Sequence, residues 1–242
     1  MLALASVSPL LVAQQPNTLP TLLKEFDAEH DLAAKERLLR QITEEGSGSS
    51  TALLQLAQTT LNTDTRWMAM RGMAALGCTA CAPFLEASLK DSDWGVRANA
   101  ARALGDLRVT GASGDILAAF AAERESGAIE QESLALRLLR VAASAPDIRE
   151  KIPNYTGQTR IWLIQALGTL GNRGDVPLIA GYLDGRESNI AAEAIEDLTG
   201  VSFGPRPGPG LGSVPSRFAV AAQAWWKSHK DAWPRCDDCR VP

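Results

Sequence analysis

Apolar residues come in short runs at helical spacing, parted by breaks that recur along the chain. Leu32, Leu38, Leu39 and Ile42 share one side of a helix predicted over 31–44, after a short one at 22–26. Leu53, Leu54, Leu56, Ala57 and Leu61 do the same over 51–62, behind the breaker Gly46-Ser-Gly-Ser-Ser50. A helix capped by Asp64 or Thr65 runs to Leu76. The next spans 81–90, with Pro83 in its first turn, where the missing N–H costs little. Asp91 or Asp93 caps 94–104. Further helices are predicted at 112–124, 128–143, 158–170, 174–184 and 187–199. Pro146 and Pro153 bound a short helix in the least regular stretch. Residues 203–215 hold four Pro and four Gly and read as a loop, followed by a helix over 216–230.

The breaks carry a second pattern. Ala103-Leu-Gly105 is echoed by Ala75-Leu-Gly77 and Thr169-Leu-Gly171, and Gly46 and Gly200 close similar segments. Successive intervals are 31, 28, 66 and 29, the third being two units. A repeat near thirty residues, two short helices per unit, predicts an all-α, right-handed α-solenoid of five or six antiparallel helix pairs. The expected organisation is an apolar leader at 1–16, the solenoid at 17–200, a loop at 201–215, and a capping helix with a cysteine-containing tail at 216–242. Each closing glycine is read as the left-handed residue that ends a helix.

Leu85-Glu-Ala-Ser-Leu-Lys-Asp91 and Asp93-Trp-Gly-Val-Arg-Ala-Asn-Ala-Ala-Arg-Ala-Leu-Gly105 resemble the bacterial HEAT-like repeat of the phycobilisome-lyase type. Weaker copies run from Asp64 to Gly77, Gln158 to Gly171 and Ser188 to Gly200, so the likeness covers about 31–200. The resemblance implies the solenoid and, for Arg97, an ion pair with an Asp of the neighbouring turn, against direct contact with a ligand. It also brings a rival function, since some members of that family attach or detach bilin chromophores. Asp197 to Gly204 with Ala224 to His229 resembles a terminal element of some exported bacterial repeat proteins, read as a cap that covers apolar surface with Trp225 and Trp226.

Charge narrows the partner. A formal net charge of −4 opposes a DNA or RNA footprint, and with it a helical-repeat DNA glycosylase. No run after the leader reaches the ~20 apolar residues of a membrane span. Residues 1–13 are apolar and uncharged, and the first cation is Lys24. That pattern suggests an export signal without its positive start, hence a periplasmic or secreted protein, with a cytoplasmic one as the alternative.

Candidate chemistry is sparse. Cys78-Thr-Ala-Cys81 and Cys236-Asp-Asp-Cys239 admit a four-thiolate zinc site, a thiol-redox pair or structural disulfides. An even count in an exported chain favours local disulfides, Cys78–Cys81 and Cys236–Cys239. His30 and His229 lack partners at metal or triad spacing. No glycine loop fit for phosphate and no nucleophile elbow is present. Trp67, Trp94 and Trp162 stand 10, 11 and 9 residues before Gly77, Gly105 and Gly171. They read either as an aromatic row gripping a peptide or as packing between repeats. With Arg97 they are the candidate binding residues. The expectation is a protein–protein interaction scaffold that is not an enzyme, takes another protein or peptide as partner, and needs no cofactor or metal.

Overall fold

The computed structural model describes residues 18–46, 48–207 and 216–233, which hold thirteen α-helices and no strand. Twelve helices form six pairs. These are α1 (Leu19–Ala28) with α2 (Leu32–Glu44), α3 (Ser49–Thr59) with α4 (Thr63–Ala75), and α5 (Ala82–Ser88) with α6 (Trp94–Asp106). Then come α7 (Ser113–Ala122) with α8 (Ser126–Leu138), α9 (Ala145–Lys151) with α10 (Gly157–Leu170), and α11 (Val176–Ala180) with α12 (Ser188–Thr199). The thirteenth, α13 (Arg217–His229), follows the Pro/Gly-rich stretch. The architecture is the all-α repeat the sequence predicts. Second helices start at residues 32, 63, 94, 126, 157 and 188, a period of 31 residues lengthened once to 32.

The period is written in how each unit is punctuated. After α4, α6 and α8 the chain enters the left-handed region at Gly77 (φ 67°), Arg108 (φ 57°) and Arg140 (φ 56°). The next amide reaches back to close a six-residue turn: Cys78 N to Met73 O at 3.0 Å, Val109 N to Leu104 O at 3.0 Å, Val141 N to Leu136 O at 2.9 Å. A single 3-10 turn follows at 79–81, 110–112 and 142–144 and delivers the chain into α5, α7 and α9. Pro83, Pro146 and Pro177 sit in the first turns of α5, α9 and α11, where no intrahelical N–H is needed.

This register corrects several expectations. Gly105 does not end its helix, because α6 continues through Asp106. It is a contact glycine: a Cβ there would stand 2.9 Å from the Cα of Ala135 in α8. Gly168 does the same for α10, 2.8 Å from the Cα of Ala194 in α12. Gly171 has φ −82° and is not left-handed, whereas Gly46, Gly77 and Gly200 are. The helix predicted over 128–143 stops at Leu138 because Arg140 turns left-handed, and α9 begins at Ala145. The cap of α4 is Asn62 rather than Asp64 or Thr65; its Oδ1 accepts from both of their amides. Asp93 caps α6 by accepting from Val96 N at 3.0 Å.

Packing follows from residue size. The second helices α4, α6, α8, α10 and α12 pack directly on one another, and small residues such as Ala69, Ala100, Ala101, Ala135 and Ala194 let their backbones approach. The first helices mainly touch their own partners, so the second helices form the inner row of the solenoid. At its C-terminal end α13 buries Phe218, Ala219 and Ala222 and packs on α12. Phe203 meets Phe218 and Trp225 at ring-centroid distances of 5.9 and 5.6 Å, and Trp233 Nε1 donates to Arg173 O at 3.1 Å.

A cation marks the same position in most units. The fourth residue of each second helix is Lys35, Arg66, Arg97, Ile129, Arg160 and Ala191 in turn. The cations donate to carbonyls left unpaired as the preceding first helix ends: Lys35 to Phe26 O at 2.7 Å, Arg66 to Thr60 O at 3.3 Å, Arg97 to Asp91 O at 2.8 Å, and Arg160 to Ile152 O at 3.3 Å. Where Ile129 breaks the series, Lys151 reaches back from the next unit. Its Nζ donates to Glu123 O at 3.0 Å and Ala121 O at 3.4 Å.

Candidate functional site

The inner row is not filled flush. Side chains of α4, α6 and α8 leave a cleft of about 720 Å³, whose walls include Trp67, Arg71, Trp94, Asn99, Arg102, Asp106, Glu130 and Gln131. Trp94, the first residue of α6, is 48% exposed, and its ring lies on the backbone of the next unit. A Cβ on Gly127 would stand 2.3 Å from Cζ3 of that ring, so a larger residue there would push the indole off its seat. Trp67 is half-buried; its Nε1 donates to Asp64 Oδ1 at 3.0 Å, and its Cδ1 borders Gly95.

The charges of the cleft are balanced and engaged. Arg71 makes two bonds to Glu36, at 3.1 and 3.0 Å, and its guanidinium stands 6.0 Å from the Trp67 ring centroid. Arg102 donates to Asp106 at 2.7 Å and to Gln131 at 3.3 Å. Glu130 accepts from Thr159 at 2.8 Å. Two indole faces, two side-chain amides and no net charge can hold an uncharged segment by stacking and hydrogen bonding.

Of the residues singled out in the sequence, Trp67 and Trp94 meet in this cleft. Trp162 is half-buried on α10, at the register position of Asn99 and Gln131. The three tryptophans fall at the fifth, first and sixth residues of their helices, so they are no equivalent row; the glycines used to align them are themselves not equivalent. Arg97 lies outside the cleft walls. It forms a two-pronged pair with Glu123, at 2.7 and 3.1 Å, rather than with an Asp. Burial pushes the Glu123 carboxyl up, but Arg97 and the amides of Glu125 and Arg124 outweigh it and hold the group below its ordinary value. The Sγ atoms of Cys78 and Cys81 stand 2.06 Å apart, inside the turn that leads into α5. Cys236 and Cys239 lie outside the described residues. Among those residues, no helix is long and apolar enough to cross a membrane, and no group of three or more His, Cys, Asp or Glu could hold a metal ion.

Sequence reasoning missed Gly127, Asn99, Arg102 and Gln131. The signal was present: counting from helix starts rather than from glycines superposes Asn99, Gln131 and Trp162 at one position.

Comparison with known proteins agrees with this geometry. The HEAT-repeat family profile matches residues 50–137, which span α3 to α8. The walls of the cleft, from Trp67 to Gln131, lie within the matched stretch. A solved structure, the complex of CpcE and CpcF of phycocyanin lyase from Nostoc sp. PCC7120, superposes with a TM-score of 0.53 at 20% identity, covering 80% of each chain. No curated protein matches the sequence. The structural likeness corrects one expectation. The lack of a catalytic motif in the sequence predicts no enzyme, yet a structure sharing the fold is that of a lyase, so a missing motif gives no ground for excluding catalysis.

Proposed function

We propose that this HEAT-repeat chain is a scaffold or adaptor that takes a protein or peptide partner in the inner cleft. The observation that carries this reading is the pair of tryptophans, one of them 48% exposed and seated on a glycine of the next repeat. Exposed aromatics that are rigidly backed are typical anchors at protein interfaces. The solved structure of similar fold is itself a complex of two different subunits. The test is photo-crosslinking. A photoreactive residue at position 94 captures the partner, whereas the same residue at Leu61, 96% exposed and outside the cleft walls, does not. Equal capture at both positions would sink the reading.

The second reading is chromophore handling in the manner of a bilin lyase, favoured by the structural likeness to phycocyanin lyase. Against it, Arg71 and Arg102 are already paired with Glu36 and Asp106, while an acidic tetrapyrrole needs cations for its carboxylates. A shift of visible absorbance when a bilin is mixed with the chain, lost in Trp94→Ala, would decide for it.

We also propose that the chain is exported to the periplasm or beyond, with 1–16 as its leader, and that Cys78–Cys81 and Cys236–Cys239 are local disulfides. The short separation of the Cys78 and Cys81 sulfurs supports the first pair. The mass of the mature chain from envelope extracts, after alkylation with and without reductant, tests both points together.

A further inference from the structure

The buried acid of the fourth unit has no role in the reading above. Glu132 lies in the middle of α8, is 0% exposed, and neither of its carboxyl oxygens has a hydrogen-bond partner. The equivalent positions in neighbouring units hold Ala69, Ala100, Leu163 and Ala194, all core residues. A carboxyl has therefore replaced a small apolar side chain in a packed interior, where an unpaired polar group is costly and an unpaired charge more so.

The cations around it, Arg97 and Lys151, favour its ionised form only weakly against burial and Glu123, because both are engaged elsewhere. From α6 comes Arg97, committed to Glu123 and to the carbonyls of Asp91 and Ser92. From the end of α7 comes Glu123, whose negative charge opposes ionisation of Glu132. From α9 comes Lys151, whose Nζ is bonded to the carbonyls of Glu123 and Ala121. An ionised Glu132 must either draw Lys151 away from the end of α7 or admit water between helices.

We propose that Glu132 is a proton-operated latch on α8: protonated, it lets α8 pack as found, and loss of that proton to solvent loosens α8 against α6, α7 and α10. The same helix carries Gly127, the seat of Trp94, together with Glu130 and Gln131, so loosening it alters the cleft directly. That last consequence rests on the cleft being the binding site; the latch itself does not.

The sign is set by which state holds the proton. Burial, reinforced by Glu123, pushes the Glu132 carboxyl from 4.5 up to about 8. Between those values the folded chain keeps a proton that the unfolded chain has released. Stability therefore falls as pH rises through that window and levels off above it. The unfolding equilibrium constant rises by up to about tenfold per pH unit.

The experiment is hydrogen exchange with mass-spectrometric readout on the full chain from pH 5 to pH 9.5, corrected for intrinsic rates. Protection across 126–138 falls with pH in the wild type, 63–75 holds more of its own, and Glu132→Gln removes the difference. Equal loss in both helices, or an undiminished slope in Glu132→Gln, overturns the latch. Should that variant fail to fold, Glu132→Leu and the wild-type profile alone still decide. Cross-linking yield at position 94 against pH is read separately: a yield independent of pH with α8 loosening intact would count against the cleft and leave the latch standing.

Discussion

In the unit α5/α6 the fourth residue of the second helix is Arg97, the seventh is Ala100 and the twelfth is Gly105; in α7/α8 the same three positions hold Ile129, Glu132 and Arg137. The first set makes a dry joint. Arg97 closes the end of α5 and pairs with Glu123, Ala100 packs, and Gly105 lets α8 come within contact of its own Cα. The second set has the same backbone and less consistent chemistry. Lys151 must be borrowed from the next unit, Glu132 is buried without a partner, and Arg137 Nε is buried and unbonded. Burial also drives the Arg137 guanidinium below its ordinary value. Repeats of one backbone design can thus differ in which positions stabilise and which hold free energy in reserve, and a reserve of that kind suits a responsive element.

The sharpest way to break the comparison is Arg97→Met. It strands Glu123, whose side chain is only 5% exposed, and removes the cap on the end of α5. The expected loss is about 3–5 kcal/mol by denaturant unfolding, because removing one partner leaves an uncompensated buried charge. Arg71→Met, which breaks the open pair with Glu36, costs under about 1 kcal/mol. Next in size, Glu132→Leu places an apolar residue where Leu163 sits in the following unit. It gains about 2–4 kcal/mol more at pH 8 than at pH 5, since the group it removes is already neutral in the folded state at low pH. A gain independent of pH would mean that the difference between the units lies in packing rather than in charge.

The repeat itself was legible because helix periodicity, capping residues and small-residue contacts all act locally, and local chemistry is what a sequence states. The unit length was blurred because glycine serves two purposes. At Gly77 it supplies a left-handed turn, whereas at Gly105 it supplies a close approach between α6 and α8; nothing within either unit tells them apart. The left-handed role passes to Arg108 and Arg140, residue types that do not announce it. The cleft was half visible. Trp67 and Trp94 stood out by type, but the glycine seating Trp94 lies 33 residues further on, and Glu132 reads as an ordinary acid on a helix until its neighbours are in place.

Gly105→Ala tests the double use of glycine. The added methyl would stand 3.0 Å from the Cβ of Ala135 and 2.9 Å from its Cα, backbone that cannot swing aside. The expected cost is about 1–3 kcal/mol, from overpacking that separates the third and fourth units. A stabilised variant would mean that α6 and α8 can part without loss.

The smallest effect compares the two left-handed arginines. An L-residue in that conformation costs about 1–2 kcal/mol, which glycine avoids. Arg140→Gly should therefore raise stability by about 1 kcal/mol, less the entropy glycine adds to the unfolded chain. Arg108→Gly should gain less, because the Arg108 side chain donates to Leu138 O, one of the last carbonyls of α8. The gap between the two variants in matched denaturant titrations measures that bond, about 0.5–1.5 kcal/mol. Equal gains would show that Arg108 contributes nothing across the joint, leaving Lys151 as the side chain that carries the fourth unit's borrowed cap.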